Sequence, residues 1–280
     1  MEVYTDILSL KHTLTGLKTR KTIGLVPTMG ALHRGHLSLV ELSNSTCDIT
    51  VVSIFVNPTQ FNNKDDYKHY PRTVEKDIEM LQRAGCHIVF TPTEQEIYPE
   101  KDTKVFDFGD LDKVMEGKFR PGHFNGVAQI VSRLFDIVQP DKSFFGQKDF
   151  QQTAIIKNMV RQLNLTTEIV IAPIIREQDG LAMSSRNTLL TDIQRKNAAD
   201  ISRALFRLKQ QAASGVSVNE ITQVAIRQIN ANPELSVEYL EIVDGKTLQP
   251  VLNWNHQGEI FACVAVNVGK IRLIDNVQLK

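Results

Sequence analysis

The sequence has only three cysteines, and they lie far apart as Cys47, Cys86 and Cys263. Without a CxxC pair, the chain offers neither a disulfide framework nor a cysteine-based zinc site, and this pattern favours a reducing compartment. Its longest apolar stretches, such as residues 49–56, fall well short of the roughly 20 residues that a membrane-spanning helix needs. The first residues also lack the basic region and apolar core of a secretory signal. We therefore expect a cytoplasmic protein that makes no contact with a membrane.

An excess of either charge is also absent, because 32 Lys and Arg residues balance 32 Asp and Glu residues. No basic field is available to gather nucleic acid, so we expect no nucleic-acid partner and a local site for any bound anion. The GxxxxGK loop that ends in Ser or Thr is missing as well, which excludes an ordinary P-loop. The remaining composition is that of a globular protein, and 280 residues suffice for two domains.

Short apolar runs alternate with helical patterns in the N-terminal part of the chain. The predicted strands cover residues 22–26, 49–56, 87–90, 142–145 and 167–171, and the predicted helices cover residues 35–44, 73–84, 127–138 and 149–163. Strands that alternate with helices form a parallel sheet wound on both faces, which binds ligands at the carboxyl ends of its strands. We therefore predict a Rossmann-like, doubly wound α/β domain over residues 1–176.

The pattern changes in the C-terminal part of the chain. Two amphipathic helices are predicted over residues 192–213 and 218–229. Three strands in hairpin order follow over residues 237–243, 259–268 and 270–274. These elements predict a smaller α+β domain over residues 177–280, with a boundary close to residues 176–187.

The first segment with chemical character, residues 27–36, lies between the first predicted strand and its helix. Gly30 and Gly35 let the backbone approach a ligand, and the helix that follows presents N–H groups and a positive dipole end. His33 and His36 are three residues apart at this helix start, so both could face one anion. They fit a turn with two surface histidines as well. A metal site is disfavoured because no nearby Cys, Asp or Glu completes a ligand set.

Two further strand ends are followed by polar residues. Gln60 comes after the turn signal Asn57-Pro58, and taken alone it is a plain loop glutamine. Lys148 begins a helix shortly after Gly146, where a cation opposes the helix dipole. A bound polyphosphate would remove this conflict, which makes Lys148 a candidate phosphate ligand. A solvated surface lysine would show the same pattern.

The segment from residue 183 to residue 186, Met-Ser-Ser-Arg, lies at the predicted domain boundary. Two hydroxyls and a guanidinium can hold a triphosphate, the arginine through a bidentate fork and the serines by donation. A Ser-Ser-Arg loop by itself is usually structural. It becomes informative here because it follows the fifth predicted strand while a His-x-Gly-His pattern follows the first.

The tetrapeptide His33-Arg34-Gly35-His36 resembles the HxGH signature of the nucleotidylyltransferase superfamily, whose two histidines contact ATP phosphates. Residues 183–186 resemble the second signature of that superfamily, the counterpart of the KMSKS loop. Longer segments are similar to the pantothenate synthetase family, which often has an acidic residue in place of Arg34. These segments are residues 27–36, 55–61, 70–73, 117–125, 145–152 and 175–187. The resemblance therefore runs nearly continuously over residues 26–187.

The resemblance implies an HxGH-type fold and an ATP-dependent ligase that works in two steps. The carboxylate of pantoate attacks the α-phosphorus of ATP, which forms pantoyl adenylate and pyrophosphate. The amine of β-alanine then attacks the acyl carbon, which releases AMP and pantothenate. Mg²⁺ is expected to screen the phosphates. The family is usually dimeric, which suggests a homodimer, and the C-terminal domain would be a lid that shields the labile adenylate from water.

The same resemblance assigns roles to residues at matching positions. The catalytic residues would be His33, His36, Lys148 and Arg186. Gln60 and Gln152 would bind pantoate, and Gln60 would also contribute to the β-alanine site. Asp77 falls where some members place a carboxylate near magnesium, although it fits a solvated helix position equally well. The residues expected to bind ATP are Met29, Gly30, Ala31, Leu32, His33, Arg34, Gly35, His36, Gly146, Gln147, Lys148, Asp149, Ile175, Met183, Ser184, Ser185 and Arg186.

The two glutamines also help to separate alternative functions. A carboxylate nucleophile paired with Arg or Lys would lose nucleophilicity, whereas neutral Gln60 and Gln152 can orient it without that penalty. A nucleotidylyltransferase that uses a phosphorylated acceptor would keep the histidines but would need extra basic residues. In a non-catalytic nucleotide-binding protein on the same fold, we would expect some residues that contact phosphates to be lost. The residues for those contacts are all present here.

Overall fold

The computed structural model describes residues 1–212 and 214–280. Its strands are β1 (Glu2–Tyr4), β2 (Ile23–Thr28), β3 (Ile49–Ile54), β4 (Ile88–Phe90), β5 (Lys142–Gly146), β6 (Glu168–Ala172), β7 (Leu235–Asp244), β8 (Ile260–Val268) and β9 (Ile271–Gln278). Its α-helices are α1 (Ile7–Lys18), α2 (Arg34–Thr46), α3 (Lys64–His69), α4 (Val74–Arg83), α5 (Glu94–Ile97), α6 (Met115–Phe119), α7 (His123–Val138), α8 (Phe150–Gln162), α9 (Asp192–Ala212) and α10 (Val218–Asn230). The predicted last residue of α9, Ala213, lies outside the described residues.

The chain divides into two compact units. The first unit consists of Met1–Phe108, Arg120–Gln147 and Gln152–Pro173, and the second consists of Gly109–Phe119, Lys148–Gln151 and Ile174–Lys280. Sequence patterns did not indicate that two short segments of the predicted N-terminal domain, Gly109–Phe119 and Lys148–Gln151, group with the C-terminal residues. The division into functional domains at residues 176 and 177 stays a prediction.

The first unit is built on a parallel sheet with the strand order β1-β4-β3-β2-β5-β6. Strand order reverses beside β2, because β3 and β4 follow on one side of it and β5 and β6 lie on the other. In open α/β sheets, ligands bind outside the carboxyl ends of the strands at such a reversal. The candidate site of this unit is therefore expected in the segments that follow β2, β3 and β5.

The central strands are apolar because both of their faces are covered. All six residues of β3 are buried, and so are the first four residues of β2. Gly24 in β2 allows α2 to pack closely on the sheet, since a Cβ there would overlap the Ser43 hydroxyl and lie 3.0 Å from Phe144. This close packing fixes the position of α2, whose first turn holds the histidine pair.

The second unit has an antiparallel sheet in the order β7-β8-β9. The central strand β8 is buried along almost its entire length, as expected for a strand with two neighbours and a covered face. Helices α9 and α10 place their apolar residues in one cluster with this sheet. The cluster includes Ile201, Leu205, Leu208, Ile221, Ile229, Val264 and Val266.

The predicted α/β class with a smaller α+β part is confirmed. The large sheet has six strands rather than the five expected, because β1 pairs with β4 at its edge. Helix α1, which Asp6 caps and which buries Leu10 and Leu14, was also not predicted. None of the helices in the described part of the chain combines the length and apolar character that a bilayer crossing requires.

Candidate active site

The first turn of α2 contains the histidine pair in a reciprocal capping arrangement. His33 is the N-cap residue, and its Nδ1 accepts a hydrogen bond from the Gly35 N–H at 3.1 Å. The His33 N–H in turn donates to Nδ1 of His36 at 3.3 Å, and the two ring centroids are 4.1 Å apart. Because each Nδ1 accepts from the backbone, the proton of each neutral ring lies on Nε2. The pair therefore offers two Nε2–H donors at a helix N-terminus, where the dipole favours anions.

The loop before α2 has an unusual backbone that Asp77 stabilises. Gly30 has a φ of 80° and Ala31 a φ of 49°, and the second value is strained for a residue with a side chain. The Asp77 carboxylate, on α4, accepts from the Ala31 N–H at 2.9 Å and from the Leu32 N–H at 2.8 Å. It also accepts from the Thr73 hydroxyl at 3.1 Å, and Asp77 is only 1% exposed. Asp77 thus stabilises the loop conformation that places the two histidines at the start of α2.

This geometry gives no support to Asp77 as a magnesium ligand. Both of its carboxylate oxygens already accept hydrogen bonds from the loop or from Thr73. Within residues 1–212 and 214–280, no three His, Cys, Asp or Glu residues come together as a metal site. The contacts therefore give Asp77 a role in anchoring the loop, and its assignment to magnesium stays a prediction.

Gln60 lies beside this loop in the same unit. It ends the 3₁₀ turn Pro58–Gln60 that follows β3, and it is 9% exposed. Its backbone carbonyl is 2.7 Å from Nδ1 of His123, and its Nε2 donates to the Met29 sulfur at 3.0 Å. The structure therefore brings Met29, the histidine loop and Gln60 together at the carboxyl ends of β2 and β3.

The segment after β5 is shared between the two units along the chain. Gly146 and Gln147 belong to the first unit, and β5 pairs directly with β2. Gln152, also in the first unit, lies partly exposed in the first turn of α8. Lys148 and Asp149 belong to the second unit, where Lys148 Nζ lies 3.5 Å from the Asp149 carboxylate.

The Met-Ser-Ser-Arg segment of the second unit follows a tight hairpin. The Met183 N–H donates to the Ile175 carbonyl at 3.0 Å, which closes the hairpin at the residue expected to hold adenine. Ser184 caps the 3₁₀ turn Ser185–Leu189, and its Oγ accepts from the Arg186 N–H at 3.3 Å. Ser185 is buried, whereas Met183, Ser184 and Arg186 are partly exposed. The partly exposed residues can therefore reach a ligand, while the turn fixes their spacing.

One strand supports both candidate phosphate-binding segments of the second unit. Asp275 on β9 accepts two hydrogen bonds from the Arg176 guanidinium, at 2.7 and 2.9 Å. Its neighbour Asn276 donates through Nδ2 to the Lys148 carbonyl at 3.0 Å. Burial raises the pKa of the Asp275 carboxyl, and the charge and hydrogen bonds of Arg176 oppose that rise. Sequence reasoning missed Asp275 and Asn276, because the predicted strand ended at residue 274 and their burial is visible only in the structure.

Three features define a nucleotide-binding α/β protein of the HxGH type. They are the reversal of strand order beside β2, the histidine pair at the start of α2 and the Ser-Ser-Arg turn after β6. A family model described as pantoate-beta-alanine ligase matches residues 2–278 of the chain. The chain belongs to the pantoate–β-alanine ligase family.

Individual relatives agree with this assignment over the whole length. The pantothenate synthetase of Porphyromonas gingivalis is 52% identical over 279 residues, which cover 99% of each chain. That of Bacteroides thetaiotaomicron is 52% identical over 281 residues, which cover 100% of this chain and 99% of the relative.

Solved structures support the same family assignment. The crystal structure of pantothenate synthetase from Thermus thermophilus has a TM-score of 0.94 and 42% identity, and the match covers 100% of this chain and 99% of that one. The pantoate-beta-alanine ligase of Francisella tularensis, complexed with beta-gamma ATP and beta-alanine, has a TM-score of 0.85 and 34% identity. That match covers 100% of this chain and 98% of the other.

Proposed function

We propose that this chain condenses pantoate with β-alanine in an ATP-dependent reaction that passes through pantoyl adenylate and releases AMP and pyrophosphate. Family membership over residues 2–278 supports the reaction. The observation that carries the mechanism is the capped histidine pair, whose two Nε2–H donors lie at the start of α2 beside Gln60. This arrangement suits an anion that gains charge during a reaction.

In the first step, a carboxylate oxygen of pantoate bonds to the α-phosphorus and the bond from that phosphorus to pyrophosphate breaks. Negative charge moves towards the leaving pyrophosphate, so donors held in place beforehand stabilise the transition state more than the bound substrates. We assign this role to His33 and His36 together with the N-terminus of α2. Lys148, Ser184, Ser185 and Arg186 supply further donors to the phosphates, and Arg186 adds a fixed positive charge.

The neutral side chains of Gln60 and Gln152 orient the pantoate carboxylate without lowering its nucleophilicity. In the second step, the amine of β-alanine attacks the acyl carbon, the new amide bond forms and AMP leaves. The loop residues from Met29 to Leu32 would line the nucleotide, since the φ angles of Gly30 and Ala31 turn the backbone there. The hairpin that joins Ile175 to Met183 would hold the adenine through its backbone.

The finer assignments of setting and assembly are also proposals. We propose that Mg²⁺ accompanies ATP as its counter-ion, and no step of the mechanism is routed through it. We propose a homodimer in the cytoplasm, as the family resemblance suggests. Residues 177–280 would act as a lid because the adenylate hydrolyses readily in water. A lid predicts that ATP plus pantoate changes the small-angle scattering profile, and an unchanged profile would exclude it.

The decisive test is ATP formation from labelled pyrophosphate with pantoate present and β-alanine absent. Pantoate-dependent exchange shows a reversible adenylation step and identifies the acid. Absence of exchange in folded protein would remove the adenylate mechanism. Exchange that depends instead on a phosphorylated acceptor would favour the alternative nucleotidylyltransferase.

A matched pair of variants tests the histidine chemistry in the same assay. His36→Asn keeps a short polar acceptor close to the position of Nδ1 but removes the Nε2 donor. Loss of a transition-state donor typically costs about 100- to 1,000-fold in rate, so exchange should fall by roughly that factor. His12→Asn changes an exposed histidine on α1 and should leave exchange unaltered. Similar rates for the two variants would contradict the role of His36.

A further inference from the structure

The amide of Gln60 has a defined orientation that its neighbours impose. An amide side chain can present either its oxygen or its NH₂ group to a ligand, and the two choices have opposite polarity. A pantoate carboxylate needs the NH₂ group. In the structure, Nε2 of Gln60 contacts the Met29 sulfur, which is a weak acceptor, while Oε1 accepts from Nδ2 of Asn57 at 3.2 Å. Asn57 therefore decides which end of Gln60 is available for the substrate.

Asn57 is itself fixed by groups whose polarity cannot change. It is 1% exposed, and its Nδ2 also donates to the backbone carbonyl of Gly126 at 3.1 Å. Its Oδ1 accepts from the Thr59 N–H at 3.4 Å and from the Thr59 hydroxyl at 3.1 Å. A carbonyl can only accept and an N–H can only donate, so these backbone groups set the direction of the Asn57 amide.

The glycine at position 126 is required for this arrangement. A Cβ on Gly126 would lie 2.6 Å from the Thr59 carbonyl carbon and 2.8 Å from the Gln60 nitrogen. Real Cβ atoms do not approach other atoms so closely. Glycine therefore lets the backbone of α7 reach the turn that holds Gln60, and its carbonyl can serve as the acceptor for Asn57.

The shortest hydrogen bond to Asn57 Oδ1 comes from Tyr98, whose hydroxyl donates at 2.9 Å. Burial raises the pKa of the Tyr98 phenol to about 12, so the group keeps its proton at neutral pH. The ring of Tyr98 lies 6.2 Å from that of Phe55 and has the Arg133 guanidinium 5.4 Å from its centre. These contacts hold the phenol in place against Asn57.

We propose that Tyr98 is a positioning residue for pantoate, which acts by fixing Asn57 so that Gln60 presents its NH₂ group to the substrate carboxylate. The effect passes along one directed series of hydrogen bonds, from the phenol to Oδ1 of Asn57 and from Nδ2 of Asn57 to Oε1 of Gln60. This inference rests on the proposed role of Gln60 in binding pantoate. Neither hydrogen bond includes a residue assigned to ATP binding, so the effect should be specific to the acid.

Tyr98→Phe removes one hydroxyl and keeps the packed ring. Loss of one neutral hydrogen bond corresponds to roughly 3- to 10-fold in an equilibrium constant. We expect pantoate-dependent pyrophosphate exchange to need about 3- to 10-fold more pantoate for half-maximal rate, with the ATP dependence unchanged. Tyr4→Phe is the matched control, since the hydroxyl of Tyr4 on the edge strand β1 is also hydrogen-bonded, to Glu2 on the same strand and to Thr13 on α1. Tyr4→Phe should leave both dependences as in the parent protein.

A double variant separates positioning from general structural damage. If Tyr98 acts through Gln60, then Tyr98→Phe should cause no further loss in a Gln60→Ala background. Equal losses in both backgrounds, a matching loss in Tyr4→Phe, or an unchanged pantoate dependence in Tyr98→Phe would each overturn the proposal.

A measurement without substrate keeps the test independent of the proposed function. In protein labelled with ¹⁵N in glutamine side chains, the Gln60 signal is identified by its loss in Gln60→Ala. Tyr98→Phe should shift or broaden this signal, and Tyr4→Phe should not. An unaltered Gln60 signal in Tyr98→Phe would overturn the directed series of hydrogen bonds. An altered signal combined with a Gln60→Ala variant of normal pantoate dependence would instead refute the role of Gln60 in binding pantoate.

Discussion

Asp77→Asn separates a structural role for Asp77 from a role in binding magnesium. The carboxylate now accepts from two backbone N–H groups, of Ala31 and Leu32, through different oxygens. Asparagine has one acceptor oxygen, so one N–H would face an NH₂ group and lose its partner. A hydrogen bond to a charged group contributes about 1.5–3 kcal/mol, and an unsatisfied buried donor costs about 1–3 kcal/mol. We therefore expect the free energy of unfolding to fall by about 3 kcal/mol.

Urea unfolding followed by far-UV circular dichroism measures this loss. The single tryptophan, Trp254, lies in the second unit, so its fluorescence would report on the wrong part of the chain. A loss of about 3 kcal/mol corresponds to a melting temperature lower by roughly 6–12 °C for a unit of this size. Glu75→Gln is the matched control, because it also changes an acid to its amide in the first turn of α4 but is exposed. It should change stability by less than about 0.5 kcal/mol.

The magnesium alternative predicts a different pair of results. If Asp77 binds the ion, Asp77→Asn would need several-fold more Mg²⁺ for half-maximal pyrophosphate exchange and would unfold at the same urea concentration as Glu75→Gln. That outcome would refute the reasoning from the hydrogen bonds of the loop. If the anchoring role is right, stability falls and added Mg²⁺ does not restore the rate.

Three further predictions concern other residues. Asp275→Asn removes the buried charge that pairs with the partly buried Arg176 and should cost about 3 kcal/mol in urea unfolding, whereas Asp179→Asn, in a more exposed pair with Arg195, should cost less than about 1 kcal/mol. Although burial favours the neutral acid, hydrogen bonds led by those from Thr247 lower the pKa of Asp244 from 3.8 to about 2. This lowered pKa stabilises the fold above about pH 4, so the unfolding midpoints of the parent and Asp244→Asn should converge as pH falls from 4 to 2. Gln152→Arg should slow single-turnover adenylate formation even where pantoate still binds, and an unchanged rate would count against neutral orientation of the carboxylate.

Most of the fold was predictable because its signals are local. Runs of buried apolar residues marked β2 and β3, and helical spacing marked α4 and α7. Strand β1 was missed because three residues are too few to show a pattern. Helix α1 was also missed, although the sequence carries a signal for its start. Asp6 is a typical N-cap residue, and its side chain accepts a hydrogen bond from the Ser9 N–H at 2.8 Å.

The candidate site was predictable only where short motifs carried it. The histidine pair and the Ser-Ser-Arg turn stand in contiguous segments, so a reader of the sequence can find them. Their supports cannot be found in this way, because the partners lie far apart in the chain. Asp77 is 45 residues from Leu32, Tyr98 is 41 from Asn57, and Asn276 is 128 from Lys148. Folding creates these pairs, and no local pattern encodes them.

Fixed backbone groups orient three candidate site residues of the first unit, His33, His36 and Gln60. His33 and His36 are fixed because each Nδ1 faces a backbone N–H, and Gln60 is fixed through Asn57, which faces a backbone N–H and a backbone carbonyl. Backbone groups cannot exchange donor for acceptor, so they determine the polarity that each side chain presents to a ligand. Variants that keep the atom facing the backbone but remove the outward atom, as in His36→Asn, should therefore lose chemistry while they retain the fold. Variants that remove the inward atom should lose both.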